Sequence, residues 1–149
     1  MGDKLGNNVV CQIGLIVKDI EKSSRAYADL FGMDVPQWII TDTEDKAHTR
    51  YRGEPTQARA KLAFFHLGAV DLELIEPDGK PSTWQEFLDT HGEGVHHIAF
   101  QIKGMEEQIA ILDKKGMPLV QTGDYTGGRY AYVDGSKQLA VILELLENF

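Results

Sequence analysis

Two apolar runs, VVCQIGLIV from Val9 and VHHIAFQIKGM from Val95, open two stretches in which hydrophobic and polar positions follow the same order. The first run, rich in β-branched and aliphatic side chains, predicts a strand over 9–17 buried on both faces. Asp19 then offers a helix cap, and Ile20, Ala26, Leu30 and Phe31 fall near helical spacing until Gly32, a usual helix stop. WIITDT follows, then a polar loop with Gly53 and Pro55, then KLAFFHLG and AVDLELIEP, which read as strands turning at Gly68. Between Lys80 and His91, Trp84, Phe87 and Leu88 share a helical face that Gly92 interrupts.

From Val95 the order restarts: strand, polar corner, amphipathic helix and the pair Gly-Met, then LVQTG, RYAYVDG and LAVILELLE as three further strands. Gln12 and His97 occupy the same place in the two copies, 85 positions apart, and LELIE and LELLE make Glu73 and Glu144 equivalent, 71 apart. The offset shrinks because the first copy has the longer loop, between Thr41 and Ala60. The expectation is an α+β fold of two tandem βαβββ modules, about 9–77 and 95–147, with a linker helix over 80–92, in a single domain spanning 1–149.

A chain of 149 residues with 42% hydrophobic content can bury a continuous core without staples. Its net charge of −8, with no separate basic block, speaks against nucleic acid or an anionic membrane as partner. Arg50, Arg52, Arg59 and Lys61 form a local basic cluster that either attracts an anionic substrate or is a solvated face. Cys11, the single cysteine, lies in an apolar run and suits a reducing cytoplasm. Neither a signal-like stretch before Val9 nor a long apolar run is present, so a soluble cytoplasmic protein is expected.

Glu144 has aliphatic neighbours on both sides, so its carboxylate needs a cation, a metal or a proton wherever it points. Glu73 raises the same question more weakly. Alternation puts His97 with Ala99 and Gln101 on one strand face and groups Gln12 with Gly14 and Ile16 in the first copy. One imidazole and two carboxylates make a mixed site suited to zinc, cobalt, nickel, manganese or iron(II), to which Gln12 can add a carbonyl oxygen. Trp84, Phe87, Tyr125 and Tyr130 are read as core rather than site.

With its repeat and these motifs, the chain resembles the vicinal oxygen chelate superfamily from Val9 to Glu147. STWQEFLDTHGEGVHHIAFQI from Ser82 and GGRYAYVDGSKQLAVILELLE from Gly127 are most similar to methylmalonyl-CoA epimerases and nearby glyoxalase-like lyases. The resemblance implies curved mixed sheets forming a half-barrel pocket and a divalent metal held by Gln12, Glu73, His97 and Glu144. Gln12 departs from the histidine usual at its position, and an amide oxygen is a weaker donor to a borderline metal.

The chemistry implied is a metal-dependent isomerase or lyase that removes a proton next to a carbonyl and stabilises the enolate charge on the metal, as an epimerase or lactoylglutathione lyase does. Glu144 or Glu73 serves as the base, Glu144 being favoured because its surroundings should raise its pKa; Glu44 and Glu54 in the long loop are further candidates. The expected partners are a small molecule, either an acyl-CoA thioester or a glutathione hemithioacetal, and a second copy of the chain. A metal-free, resistance-type binding protein is the alternative. Ring cleavage by a dioxygenase fits less well, since only His97 supplies an imidazole.

Overall fold

The computed structural model describes residues 2–149. In chain order the first repeat contains β1 (Gln12–Ile16), α1 (Ile20–Phe31), β2 (Ile39–Ile40), α2 (Glu44–Ala47), β3 (Arg50–Tyr51), β4 (Glu54–Pro55), β5 (Ala60–Leu67) and β6 (Val70–Pro77). The linker helix α3 (Thr83–His91) leads to β7 (Gly94–Gln101), α4 (Met105–Lys114), β8 (Leu119–Tyr125), β9 (Gly128–Gly135), α5 (Ser136–Leu139) and β10 (Val141–Asn148). No helix among the described residues is long and apolar enough to cross a membrane.

All ten strands join one curled sheet in the order β2-β5-β6-β1-β7-β10-β9-β8-β3-β4, which forms a half-barrel. The two copies meet at its centre, where β1 runs antiparallel to β7, with β6 parallel to β1 on one side and β10 parallel to β7 on the other. Gln12 lies opposite Ala99 and Gly14 opposite His97. Because Gln12 corresponds to His97 and Gly14 to Ala99, exchanging the copies maps this register onto itself. That is a local two-fold relation between the repeats.

Period-2 alternation explains how each copy is covered. On β5 and β6, Ala63, Phe65 and Leu74 turn toward Ile20 and Ala28 of α1; on β9 and β10, Val133, Leu143 and Leu145 turn toward Met105 and Leu112 of α4. Each large side chain so buried is worth roughly 1.5–3 kcal/mol relative to exposure. Glu73 and Glu144, one position away from these residues, must therefore face the other side of the sheet. The third cluster joins Trp84 of α3 to Ile16, Ile75 and Tyr132, which ties the linker helix to both copies.

Several local expectations change. The Asp19 side chain caps α1 by accepting from the Lys22 amide, and Gly32 ends it in the left-handed region at φ 64°. The buried face of α1, however, is Ile20, Ser24 and Ala28, a four-residue spacing; Ala26, Leu30 and Phe31 are exposed. The first strand covers only 12–16, and WIITDT contributes only the exposed edge pair Ile39–Ile40. Cys11 is half-buried.

The loop of the first copy is not structureless. It forms α2 and the short hairpin β3–β4, and β3 crosses to the second copy, where Arg50 and Tyr51 pair with Thr122 and Gln121 of β8. Arg52 and Tyr51 clasp Glu86 of α3, with Arg52 Nη2 2.7 Å from Glu86 Oε2 and Tyr51 Oη donating to it at 2.8 Å. His48, at the end of α2, lies 2.8 Å from Asp124 Oδ2. The first repeat thus reaches around to close one flank of the second.

Candidate metal centre and pocket

The four central strands each present one of the sequence-derived positions. Reading across them, one row is Glu73, Gly14, His97 and the next Asp71, Gln12, Ala99, Glu144. In each row the smallest residue, Gly14 or Ala99, sits between two long polar ones. The flanking side chains can therefore lean over the gap and converge.

They do converge. His97 Nε2 is 3.0 Å from Gln12 Oε1, 3.1 Å from Glu144 Oε1 and 3.4 Å from Glu73 Oε1. Ligand atoms of Glu73, His97 and Glu144 all lie within 4.8 Å of one another, and all three residues are buried. Four acceptor-type atoms from an amide, an imidazole and two carboxylates face one point, a donor set that fits a divalent cation. Without one, a proton on His97 Nε2 has to serve all three oxygens. Rotating the Gln12 amide by half a turn offers another closure, with its Nε2 2.8 Å from Glu144 Oε1 and 3.2 Å from Glu73 Oε1.

The electrostatics reflect this crowding. Burial raises the Glu73 carboxyl above its ordinary range, opposed by its hydrogen bond to His97 and reinforced by the charge of Glu144. Burial lowers the His97 pKa, but the charge and hydrogen bond of Glu144, together with Glu73, push it up to about 10. Glu73 and Glu144 are buried to the same degree, 6% and 5% exposed.

A layer behind the site escaped the sequence reading. His97 Nδ1 lies 2.9 Å from His96 Nδ1, and His96 Nε2 lies 2.7 Å from Thr83 Oγ1 at the start of α3. Burial and the neighbouring His97 charge hold His96 well below the usual imidazole range, so it is neutral. Thr83 N–H in turn donates to Gln121 Oε1, whose Nε2 donates to Tyr130 Oη. The doublet His96-His97 was the available signal; a β-bulge in the β1–β7 pairing at this point brings both rings against Tyr132.

A cavity of about 490 Å³ opens above Gln12, Glu73 and Glu144, with Ile40 and Phe64 on one wall and Tyr125, Tyr130 and Leu146 on the other. Trp84 and Tyr132 also border it, while Thr49 and Ala47 come from the inserted segment. Trp84, Tyr125 and Tyr130, expected in the core, are thus cavity walls as well; Phe87 packs instead on the far side, against His91 and His96. Glu44 and Glu54 do not border the cavity. The basic cluster does not converge on it either: Arg52 is held by Glu86, Arg59 by the Thr41 carbonyl, and Lys61 lies over the Trp38 ring.

Comparison with known proteins agrees with this architecture. The chain matches the Glyoxalase/Bleomycin resistance protein/Dioxygenase superfamily over residues 11–133. It is 33% identical over 143 residues to the uncharacterized protein YqjC of Bacillus subtilis, covering 94% of this chain and 92% of that one. The mitochondrial methylmalonyl-CoA epimerase of Mus musculus is 24% identical over 104 residues, 69% of this chain and 51% of the epimerase. The crystal structure of methylmalonyl-CoA epimerase from Mycobacterium tuberculosis superposes with a TM-score of 0.65 at 22% identity, covering 98% of this chain and 93% of that one. The chain belongs to the glyoxalase/bleomycin resistance/dioxygenase superfamily.

Proposed function

We propose that this protein is a metal-dependent isomerase or lyase that moves a proton at the carbon next to a carbonyl, with Gln12, Glu73, His97 and Glu144 as the metal-holding set. The observation that carries the reading is the convergence of these four acceptor atoms on one point at the cavity floor. A divalent cation bound there would supply Lewis-acid polarisation of the substrate carbonyl, an effect worth several kcal/mol in such reactions.

The protein's own residues account for the rest. Glu73 is the favoured proton acceptor: it borders the cavity, and its raised pKa brings it toward the range where a carboxylate both takes and returns a proton. Glu144, across the site on β10, is placed to deliver a proton from a second direction, as an epimerase requires; a lyase of the glyoxalase type would need Glu73 alone. Trp84, Phe64 and Leu146 give the cavity an apolar lining. The likeness to methylmalonyl-CoA epimerases supports an acyl thioester as substrate class, and a hemithioacetal is the second candidate.

The rotated Gln12 amide favours one rival. In that arrangement the site is closed by an amide donor and needs no cation, which suits a binding protein. Proton exchange separates the two. Metal-loaded protein incubated in deuterated water with acyl thioesters and hemithioacetals is expected to place deuterium next to the carbonyl of one class. Tight ligand binding with no label in any of them would overturn the enzymatic reading.

A further inference from the structure

The charges that border the cavity are all of one sign. Asp42, Glu73, Asp124 and Glu144 line it, and among the described residues no lysine or arginine does; His97, at its floor, is a metal ligand in the proposed reading and brings no charge there. A divalent cation at the floor would be balanced by the two glutamates, leaving no net positive charge for an anion. At the mouth, Asp124 is paired with exposed His48, and Asp42 is exposed. The nearby basic residues are turned to other partners, Arg52 to Glu86 and Arg59 to the Thr41 carbonyl.

The polar groups that remain are hydrogen-bond donors. Tyr130 Oη accepts from Gln121 Nε2 at 3.0 Å and Tyr132 Oη accepts from Trp84 Nε1 at 3.0 Å. Each phenol is oriented by that incoming bond and keeps its own proton for another acceptor. Burial and the charge of Glu144 keep Tyr132 protonated, and burial does the same for Tyr130. Neutral donors set in an acidic, largely apolar cavity match a polarised but uncharged oxygen.

We infer that the pocket selects a reacting end without negative charge, a neutral carbonyl compound with an apolar body, whose oxygen takes the phenol protons of Tyr130 and Tyr132. The inference rests on the proposed metal-dependent reading, because it assigns the floor a balanced charge. It narrows the substrate class: a thioester or hemithioacetal qualifies when its reacting end bears no free carboxylate. A carrier's phosphates or carboxylates would stay outside a cavity of about 490 Å³.

The test is a matched pair, benzoylformate and its methyl ester, which offer the same adjacent oxygens and aromatic body and differ by one charge. Calorimetric titration into zinc-loaded protein at low salt should show the ester binding about tenfold tighter or more. Tyr130→Phe should weaken the ester by about tenfold, the scale of one hydrogen bond. Asp42→Asn should narrow the gap between acid and ester.

Equal or tighter binding of the acid to zinc-loaded protein, or no binding of the ester at millimolar concentration, overturns the inference. Binding is read without turnover. Ester preference with no proton exchange would therefore sink the reaction and leave the charge selection standing, and exchange with acid preference would do the reverse.

Discussion

Gly14 lies directly opposite His97 in the central strand pair, and a Cβ at Gly14 would clash with the imidazole ring. The ring occupies the space a side chain would take, which lets His97 lean toward Glu73 and Glu144. Gly14→Ala should therefore expel the ring, costing about 1–3 kcal/mol as overpacking and lowering metal uptake together. Denaturant unfolding and metal analysis of the same preparation check both; an alanine variant with unchanged metal content would show that the ring has another seat.

His97 contacts all three of the other site residues within 3.4 Å. His97→Ala is expected to reduce bound divalent metal to near zero in protein purified without chelator. Elemental analysis reads this directly, and wild-type content in the folded variant would dismiss the proposed ligand set.

The pH behaviour of chelator-treated protein follows from the same contacts. The folded His97 value, about 10, lies above the ordinary 6.5, so its contacts contribute stability that is complete below pH 6.5 and lost as pH rises toward 10. Glu73, also raised, acts in the same direction from the carboxylate range upward. The melting temperature should fall across that window without metal and change less with zinc, since a cation replaces the proton. A flat metal-free profile would contradict the buried contact.

For Nε2 of His97 to face a metal, its Nδ1 must carry the proton and donate it to His96 Nδ1, so that His96 Nε2–H reaches Thr83 Oγ1. His96→Phe removes that acceptor and should weaken metal affinity by about 10–100-fold, the usual effect of losing a ligand's hydrogen-bond partner. His96→Asn, which returns an acceptor near the same place, should restore part of it. Competition against a coloured chelator measures both, and equal affinities for the two variants would leave His96 with packing alone.

Tyr132 Oη accepts the only hydrogen bond of the buried Trp84 indole. Tyr132→Phe strands that N–H and should destabilise the fold by roughly 1–3 kcal/mol. Thermal unfolding checks this, and a loss confined to ligand binding would mean that water reaches the indole.

The sequence by itself determined the duplication and the four converging positions, because strand alternation and copy-to-copy equivalence are local properties that survive in the linear pattern. It left open the side that Glu73 and Glu144 take, which the packing of Leu74 on α1 and of Leu143 and Leu145 on α4 decided. What it did not determine depended on pairing between distant segments. The loop from Thr41 to Ala60 has no periodicity of its own, and its hairpin exists through the partner it finds on β8. Trp84, Tyr125 and Tyr130 read as core because an aromatic side chain buries itself equally well in a core or on a cavity wall; only the curl of the sheet decides which. The same holds for His96, whose role arises from α3 folding back to place Thr83 beside it. Burial, not residue type, raises the Glu73 carboxyl, and burial is set only when the two halves close.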